Sequence, residues 1–242
     1  MKCARADSTF APPPLVRAEI ERVWSTMGQK PGVHLFDGGL CRVESISAGF
    51  GELSMTLSET SYKSFAGTNM HNPQFAAQYG QAAMANPLGM SAALISADGF
   101  LVMGRRNERV AYYPGRIHPF AGSLEPEDEL DVFAAVRREL KEELGLAEEE
   151  LQGQKCLGIA EDRGLAHPEL ICYAQAQKSL DELRRGVDEV EHDAMVAIEV
   201  KREVFERELG GAKLYTPIAL ATMLLCGRER LGSEWFDAVF QS

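Results

Sequence analysis

The 242-residue chain has no apolar run close to the ~18 residues that a membrane-spanning helix needs. Its longest apolar stretch, Ile218 to Cys226, is about half that length. The opening residues, MKCARADSTFAPPPLV, carry Lys2 and Arg5 but no apolar segment behind them, so no secretory signal is expected there. Cysteine is scarce. The five present, Cys3, Cys41, Cys156, Cys172 and Cys226, are odd in number and never at CxxC spacing. This argues against a disulfide framework and a structural zinc site, and makes a reducing cytoplasm the expected compartment. Positive charge is also in deficit: 25 Lys and Arg against 36 Asp and Glu leave a net charge of −11. A nucleic-acid partner is therefore not expected, nor is a membrane partner. No internal repeat or low-complexity tract is present. What remains, 45% hydrophobic residues with 22 Gly and 11 Pro, is the composition of a globular protein of one domain, or of one domain with an elaboration.

Residues 1–14 are rich in Ala and Pro and read as a mobile lead-in. Leu15 to Lys30 carries Leu15, Ile20, Val23, Trp24 and Met27 at roughly helical spacing, ended by Pro31-Gly32. The runs LCRVESIS and ELSMTLSE, joined by AGFG, predict a β-hairpin. A turn-rich stretch, SETSYKSFAGTNMHNP, leads to a short helical stretch around Gln74–Met84, and Asn86-Pro87-Leu88-Gly89 marks a soft boundary. The chain is accordingly divided into an N-terminal elaboration, 1–87, and a main domain, 88–242. In the main domain, AALIS and FLVMG flank Ala97-Asp98-Gly99, a tight-hairpin signal because Asp-Gly supplies the positive φ angles of a primed turn. Asp131–Leu144 is the clearest helix. Cys156–Ala160 and Glu169–Gln175 read as buried strands, with Cys156 and Cys172 as small apolar residues in them. Asp181–Glu191 is helix or loop, Met195–Val200 a strand, and Leu214–Arg228 a final helix. Strands and helices mix without regular βαβ alternation, so the class is α/β of the α+β kind.

Most of the excess negative charge sits in one place. From Glu125 to Glu150 there are eleven acids against three bases, a net of −8. Within it, the predicted helix carries Arg138-Glu139-Leu140-Lys141-Glu142-Glu143-Leu144-Gly145-Leu146. Positions i, i+3 and i+4 share a helix face, so Glu139, Glu142 and Glu143 project together. Phe133, Val136, Leu140 and Leu144 form the neighbouring apolar stripe. Like charges at i and i+4 destabilise a helix by a few tenths of a kcal/mol, unless something positive binds there. Two readings stay open on these residues alone: an ordinary solvated acidic helix, or a site for a hard divalent cation held by carboxylate oxygens. In the second reading Arg138 steadies one carboxylate. Gly145 suits the helix C-cap.

With Gly122-Ser123-Leu124-Glu125-Pro126 before it, this stretch resembles the Nudix box: Gly, five residues, Glu, seven residues, then Arg-Glu-apolar-x-Glu-Glu-x-Gly-apolar. Arg138, Glu139, Leu140, Glu142, Glu143, Gly145 and Leu146 match every defined position of the second half. The first half departs. Gly122 and Glu129 are separated by six residues, and Glu129 and Arg138 by eight. With Asp128 in the acidic position the first spacing is met and two residues are inserted before the helix. The resemblance covers roughly residues 88–230. It implies an α/β/α sandwich with a mixed β-sheet, and hydrolysis, with Mg²⁺ or Mn²⁺ as cofactor, of a nucleoside diphosphate linked to another moiety. By the same resemblance Glu139, Glu142 and Glu143 ligate the metal, a carbonyl at or beside Gly122 adds a ligand, and the general base is a box Glu or an acid before the late strand, Glu189 or Glu191. A homodimer is common among such proteins.

Outside the box, Tyr62, Phe65, Gly67, Thr68 and Asn69, then Pro87, Leu88 and Gly89, are similar to the branch of the family that hydrolyses UDP-glucose and UDP-galactose, which implies UMP and a sugar 1-phosphate as products. Other outcomes of the same box are an ADP-ribose or dinucleotide pyrophosphatase, or a non-catalytic nucleotide-binding module. Candidate substrate contacts are Arg105, Arg106 and Arg116, which can pair with phosphate oxygens, Tyr113, which can stack on a base or sugar, and Asn69, which either bonds a ligand or caps a turn. His118, in an apolar stretch, reads as a hydrogen-bonded structural histidine.

Overall fold

The computed structural model describes residues 1–29, 34–49, 51–108, 110–186 and 192–240. The chain divides into two compact units. The first comprises Met1–Gly89, Ser123–Val132 and Glu161–Pro168; the second comprises Met90–Gly122, Phe133–Ala160 and Glu169–Ser242.

The first unit is built on a three-stranded mixed sheet, β1 (Lys2–Thr9), β2 (Gly39–Gly49) and β3 (Glu52–Ser61), in the order β1-β3-β2. The expected hairpin is β2 and β3, antiparallel with Val43 opposite Leu57 and a register shift between Val43 and Ser45. The mobile lead-in is a correction: residues 2–9 form a strand parallel to β3, with Lys2 opposite Ser54. Its side chains are mostly exposed, so the strand is carried by its ladder and not by an apolar pattern that a sequence reader could see. Helix α1 (Pro14–Gly28) starts on a proline at its first turn and buries Val16, Ile20 and Val23. The turn-rich stretch becomes the one-turn α2 (Tyr62–Phe65) and a π-turn over Ala66–Met70. A short helix, α3 (Phe75–Tyr79), follows. Three backbone bonds hold the 123–132 segment within this unit: Leu88 N to Cys41 O, Cys41 N to Leu124 O and Leu124 N to Leu88 O.

The second unit holds, among the described residues, a seven-stranded sheet. Its strands are β4 (Gly89–Ile95), β5 (Phe100–Arg106), β6 (Ile117–His118), β7 (Phe120–Ser123), β8 (Leu151–Asp162), β9 (His167–Ala176) and β10 (His192–Glu199). The path is β10-β5-β4-β9-β8, with β6 on β5 and β7 on β4. The Asp-Gly hairpin forms as expected, Leu94 opposite Val102 and Gly99 at φ 89°. The acidic helix is α4 (Val132–Leu144). It is followed by α5 (Leu180–Arg184), α6 (Arg202–Gly210), α7 (Pro217–Leu231) and α8 (Ser233–Phe240). The helix expected as the last, Leu214–Arg228, is α7, and it is a correction that α8 follows it; α6 is a further helix beyond those the periodicity marks.

Side chains alternate across a strand. Leu101 and Met103 of β5 join Ile95, Ile171 and Tyr173 in a core closed by Phe205, Tyr215, Met223 and Trp235 from the segment holding α6, α7 and α8. Val102 and Gly104 therefore face the other way, and this is the face over which α4 brings Glu143 to His192. The result is an α/β/α arrangement with mixed sheets. Burying one mid-sized apolar side chain contributes roughly 1.5–3 kcal/mol, and the largest fully buried side chains among the described residues include Tyr215, Phe205 and Trp235 in this core. All five cysteines are free thiols, Cys172 buried and Cys156 half-buried in the paired strands β9 and β8. No helix among the described residues is long and apolar enough to cross a membrane.

Candidate active site

Helix α4 packs through Val136, Leu140 and Leu144, each under 5% exposed, with the partly buried Phe133 on the same stripe. That packing fixes the helix roll and so the directions of its acids. Glu143 lies nearest the core, its side chain 10% exposed. Glu139 is next at 16%, and Glu142 is open at 62%. The three are thus graded from core to solvent along one flank. Gly145 at φ 61° ends the helix, its N–H donating to Lys141 O.

Arg138 lies against two of the acids. Its Nη1 lies 2.8 Å from Glu139 Oε1 and 3.8 Å from Glu142 Oε2. Burial pushes the Glu139 carboxyl up to about 7; Arg138 opposes the rise, and the like charges of Glu143 and Glu142 add to it. Room for the Glu139 carboxylate comes from Gly122 on β7. A Cβ there would overlap Oε1 and Cδ of Glu139 and lie 2.7 Å from its Cγ.

Among the described residues no group of three or more His, Cys, Asp or Glu side chains is gathered closely enough to ligate one ion. The donor chemistry nevertheless fits a hard divalent cation. The flank offers carboxylate oxygens only, and Glu143 and Glu142 add to the raised proton affinity of Glu139, a penalty that a cation reverses.

The remodelled first half of the box has a local explanation. Glu125 N donates to Asp128 Oδ2 at 2.9 Å, closing a short turn over Pro126–Asp128. Glu129 and Leu130 then both take positive φ, 51° and 66°. Two consecutive non-glycine residues in that region are rare, and they absorb the extra chain ahead of α4. Asp128 is committed to this turn.

The arginines and tyrosines of the segment entering the box form two stacked pairs. Arg106, buried, has its guanidinium 4.4 Å from the Tyr112 ring centre, and its Nε donates to Tyr112 O. Arg116 lies 5.4 Å from the Tyr113 ring, with Tyr113 at φ 50°. Arg105 points outward from β5 and is exposed. Asn69 sits in the first unit, fully buried. Its amide donates to Leu165 O and Ala166 O, and its Oδ1 accepts from Asn86 N and Thr68 Oγ1, so all four hydrogen-bonding positions of the side chain are used inside that unit. His118 is a structural histidine: its Nδ1 is 2.8 Å from Thr216 Oγ1, at the start of α7, while its Nε2 faces Glu169, which also accepts from Ser91 Oγ. Glu189 and Glu191, the sequence candidates for the base, lie outside the described residues.

One residue of this constellation was not foreseen. His192, the first residue of β10, is 2% exposed, and its Nε2 is 3.0 Å from Glu143 Oε1. In the sequence it follows a run of acids and carries no signal; its partner on α4 is 49 residues away.

A family model described as the NUDIX domain matches residues 85–211. The mouse (Mus musculus) protein named uridine diphosphate glucose pyrophosphatase NUDT22 is 30% identical over 247 aligned positions, covering 87% of this chain and 79% of its own. The Homo sapiens protein of the same name is 31% identical over 69% of this chain and 65% of its own. A solved NUDIX hydrolase from Nitrosomonas europaea superposes with a TM-score of 0.43 at 15% identity, over 59% of this chain and 89% of its own. With the family model covering more than half of the residues and a complete set of box carboxylates on α4, the chain belongs to the NUDIX family and is a Nudix hydrolase.

Proposed function

We propose that this enzyme hydrolyses the diphosphate of a UDP-sugar, giving UMP and a sugar 1-phosphate, with Mg²⁺ or Mn²⁺ as its cofactor. The observation that carries the reading is the complete trio Glu139, Glu142 and Glu143 on one flank of α4, in a chain that aligns over 87% of its length with a relative named for UDP-glucose. The bound cation supplies Lewis-acid polarisation of phosphoryl oxygens and a lowered pKa for an attacking water.

The protein's own residues do the rest. Glu139, Glu142 and Glu143 would hold the cation, with the carbonyl at Gly122 as a further ligand. Arg138 keeps Glu139 in one orientation. A base, either a box Glu or one of Glu189 and Glu191, takes a proton from water as the oxygen attacks phosphorus. The P–O bond of the anhydride breaks, and its electrons leave on the phosphate of the departing half. Arg106 and Arg116 neutralise the diphosphate, and Tyr113 stacks on the uracil or the sugar, whereas Arg105, on the opposite face of β5, takes no part; the stacking that already steadies Arg106 and Arg116 limits the rotamer freedom they lose on binding.

The test is a panel of UDP-glucose, UDP-galactose, ADP-ribose and NADH with Mg²⁺, products weighed by mass spectrometry. UMP with hexose 1-phosphate, formed at a higher kcat/KM than AMP from ADP-ribose, is expected. A preference for ADP-ribose overturns the sugar assignment, and no turnover of any of them overturns the catalytic one.

A further inference from the structure

We infer that His192 is a positioning residue for the cation site, holding Glu143 in its ligating orientation through a hydrogen bond from its ring. The inference rests on Glu143 being a metal ligand, as proposed above.

The geometry is specific. An ionised carboxylate only accepts, so the ring nitrogen facing it, Nε2, donates to Glu143 Oε1 across 3.0 Å. Both groups are sheltered: His192 is 2% exposed and Glu143 8%. The ring is fixed from two further sides. Phe120 packs edge-on against it, with centroids 4.9 Å apart and planes at 73°. Beneath it lies Gly104 of β5, where a Cβ would overlap Nδ1 and sit 2.6 Å from both Cε1 and Cγ. The absence of a side chain at Gly104 is thus what lets the ring lie flat enough on the sheet to reach α4. A carboxylate tied at one oxygen keeps one orientation. A ligand so oriented loses less freedom on binding an ion than one that samples several rotamers.

The experiment is Mn²⁺ binding to the full-length chain without substrate, following free aquo-Mn²⁺ by electron paramagnetic resonance. Four variants are compared with the parent: His192→Phe, which keeps a ring and removes the donor; His192→Gln, which keeps a donor near Nε2; Gly104→Ala, which displaces the ring without changing its chemistry; and Glu143→Gln, which removes the ligand charge. Partners of metal ligands typically change metal affinity by about 10- to 100-fold. His192→Phe and Gly104→Ala should weaken Mn²⁺ binding by that factor with little change in melting temperature, and His192→Gln should recover most of it. If His192→Phe binds Mn²⁺ like the parent while Glu143→Gln binds weakly, the positioning role is wrong and the metal assignment stands. If Glu143→Gln binds like the parent, the metal assignment itself fails. If Gln and Phe at 192 are equally impaired, the ring contributes packing alone and the inference is overturned.

Discussion

Replacing Gly122 by alanine should separate activity from stability. A Cβ at this position would overlap Oε1 and Cδ of Glu139 and lie 2.7 Å from Cγ. Carbon atoms rest at about 3.5–4.0 Å, so the side chain must withdraw by about 1 Å at Cγ and further at its carboxylate. The displaced atoms are the far end of a flexible side chain, and Gly122 does not need positive φ. The fold can therefore accept the methyl at a cost near the low end of overpacking, about 1 kcal/mol. Catalysis is less forgiving. The withdrawal breaks the 2.8 Å bond from Arg138 and moves one of the proposed ligands out of place, and a misplacement of about 1 Å can lower the rate by about 100-fold. The assay pairs kcat for UDP-glucose at saturating Mg²⁺ with thermal melting. A Gly122→Ala enzyme with parental kcat and parental melting would refute the reasoning, since the glycine would then not be reserving space for a working carboxylate.

Three further outcomes are expected. Glu142→Gln and Glu143→Gln should each lower kcat by about 100-fold or more while leaving the circular dichroism spectrum unchanged, as loss of transition-state charge stabilisation does; a double variant with full Mg²⁺-dependent turnover would contradict this. Mg²⁺ added without substrate should raise the melting temperature, by a free energy of about 2.7 kcal/mol at one hundred times its Kd, and the shift should vanish in Glu143→Gln. In the first unit, burial holds the His167 ring well below its usual value, at about 4, and its Nε2 has no hydrogen-bonding partner among the described residues. The unfolded chain takes up this proton below about 6.5 and the folded chain only below about 4, so stability should fall by about 3 kcal/mol as pH drops through that window. His167→Phe should flatten that part of the urea-denaturation profile, and an unchanged slope would show that the ring titrates freely in the native state.

How much of this was legible in the sequence follows from how local each feature is. Helix α4 was legible because its apolar stripe, its acids and its terminal glycine lie within one stretch of helical periodicity. The β4–β5 hairpin was legible because Asp98-Gly99 states its own turn. Strand β1 was not: its residues are exposed, and its evidence is a parallel ladder to a strand some fifty residues on. At Asn69 a ligand bond and a turn cap are both open in the sequence, because a turn-rich stretch does not show that the amide donates to carbonyls nearly a hundred residues away. The irregular half of the box was visible as a spacing fault, but the sequence could not say that Glu129 and Leu130 would take it up in left-handed conformations.

The least legible features are the ones that position the site most tightly. Gly104 and Gly122 lie on different strands, and neither is demanded by a turn. Each leaves space for one polar side chain arriving from elsewhere: His192 over Gly104, Glu139 over Gly122. In a sequence, a glycine inside a strand counts only as a weak strand former. In the folded unit these two positions decide how far the sheet admits the ring and the carboxylate. A methyl group at either would be nearly invisible in composition, hydropathy and predicted secondary structure, yet it would move a proposed ligand or its partner by a distance to which catalysis is sensitive. The chemistry of α4 is therefore set by its own charges together with side chains absent from the sheet beneath it, and the second half of that statement can only be read in three dimensions.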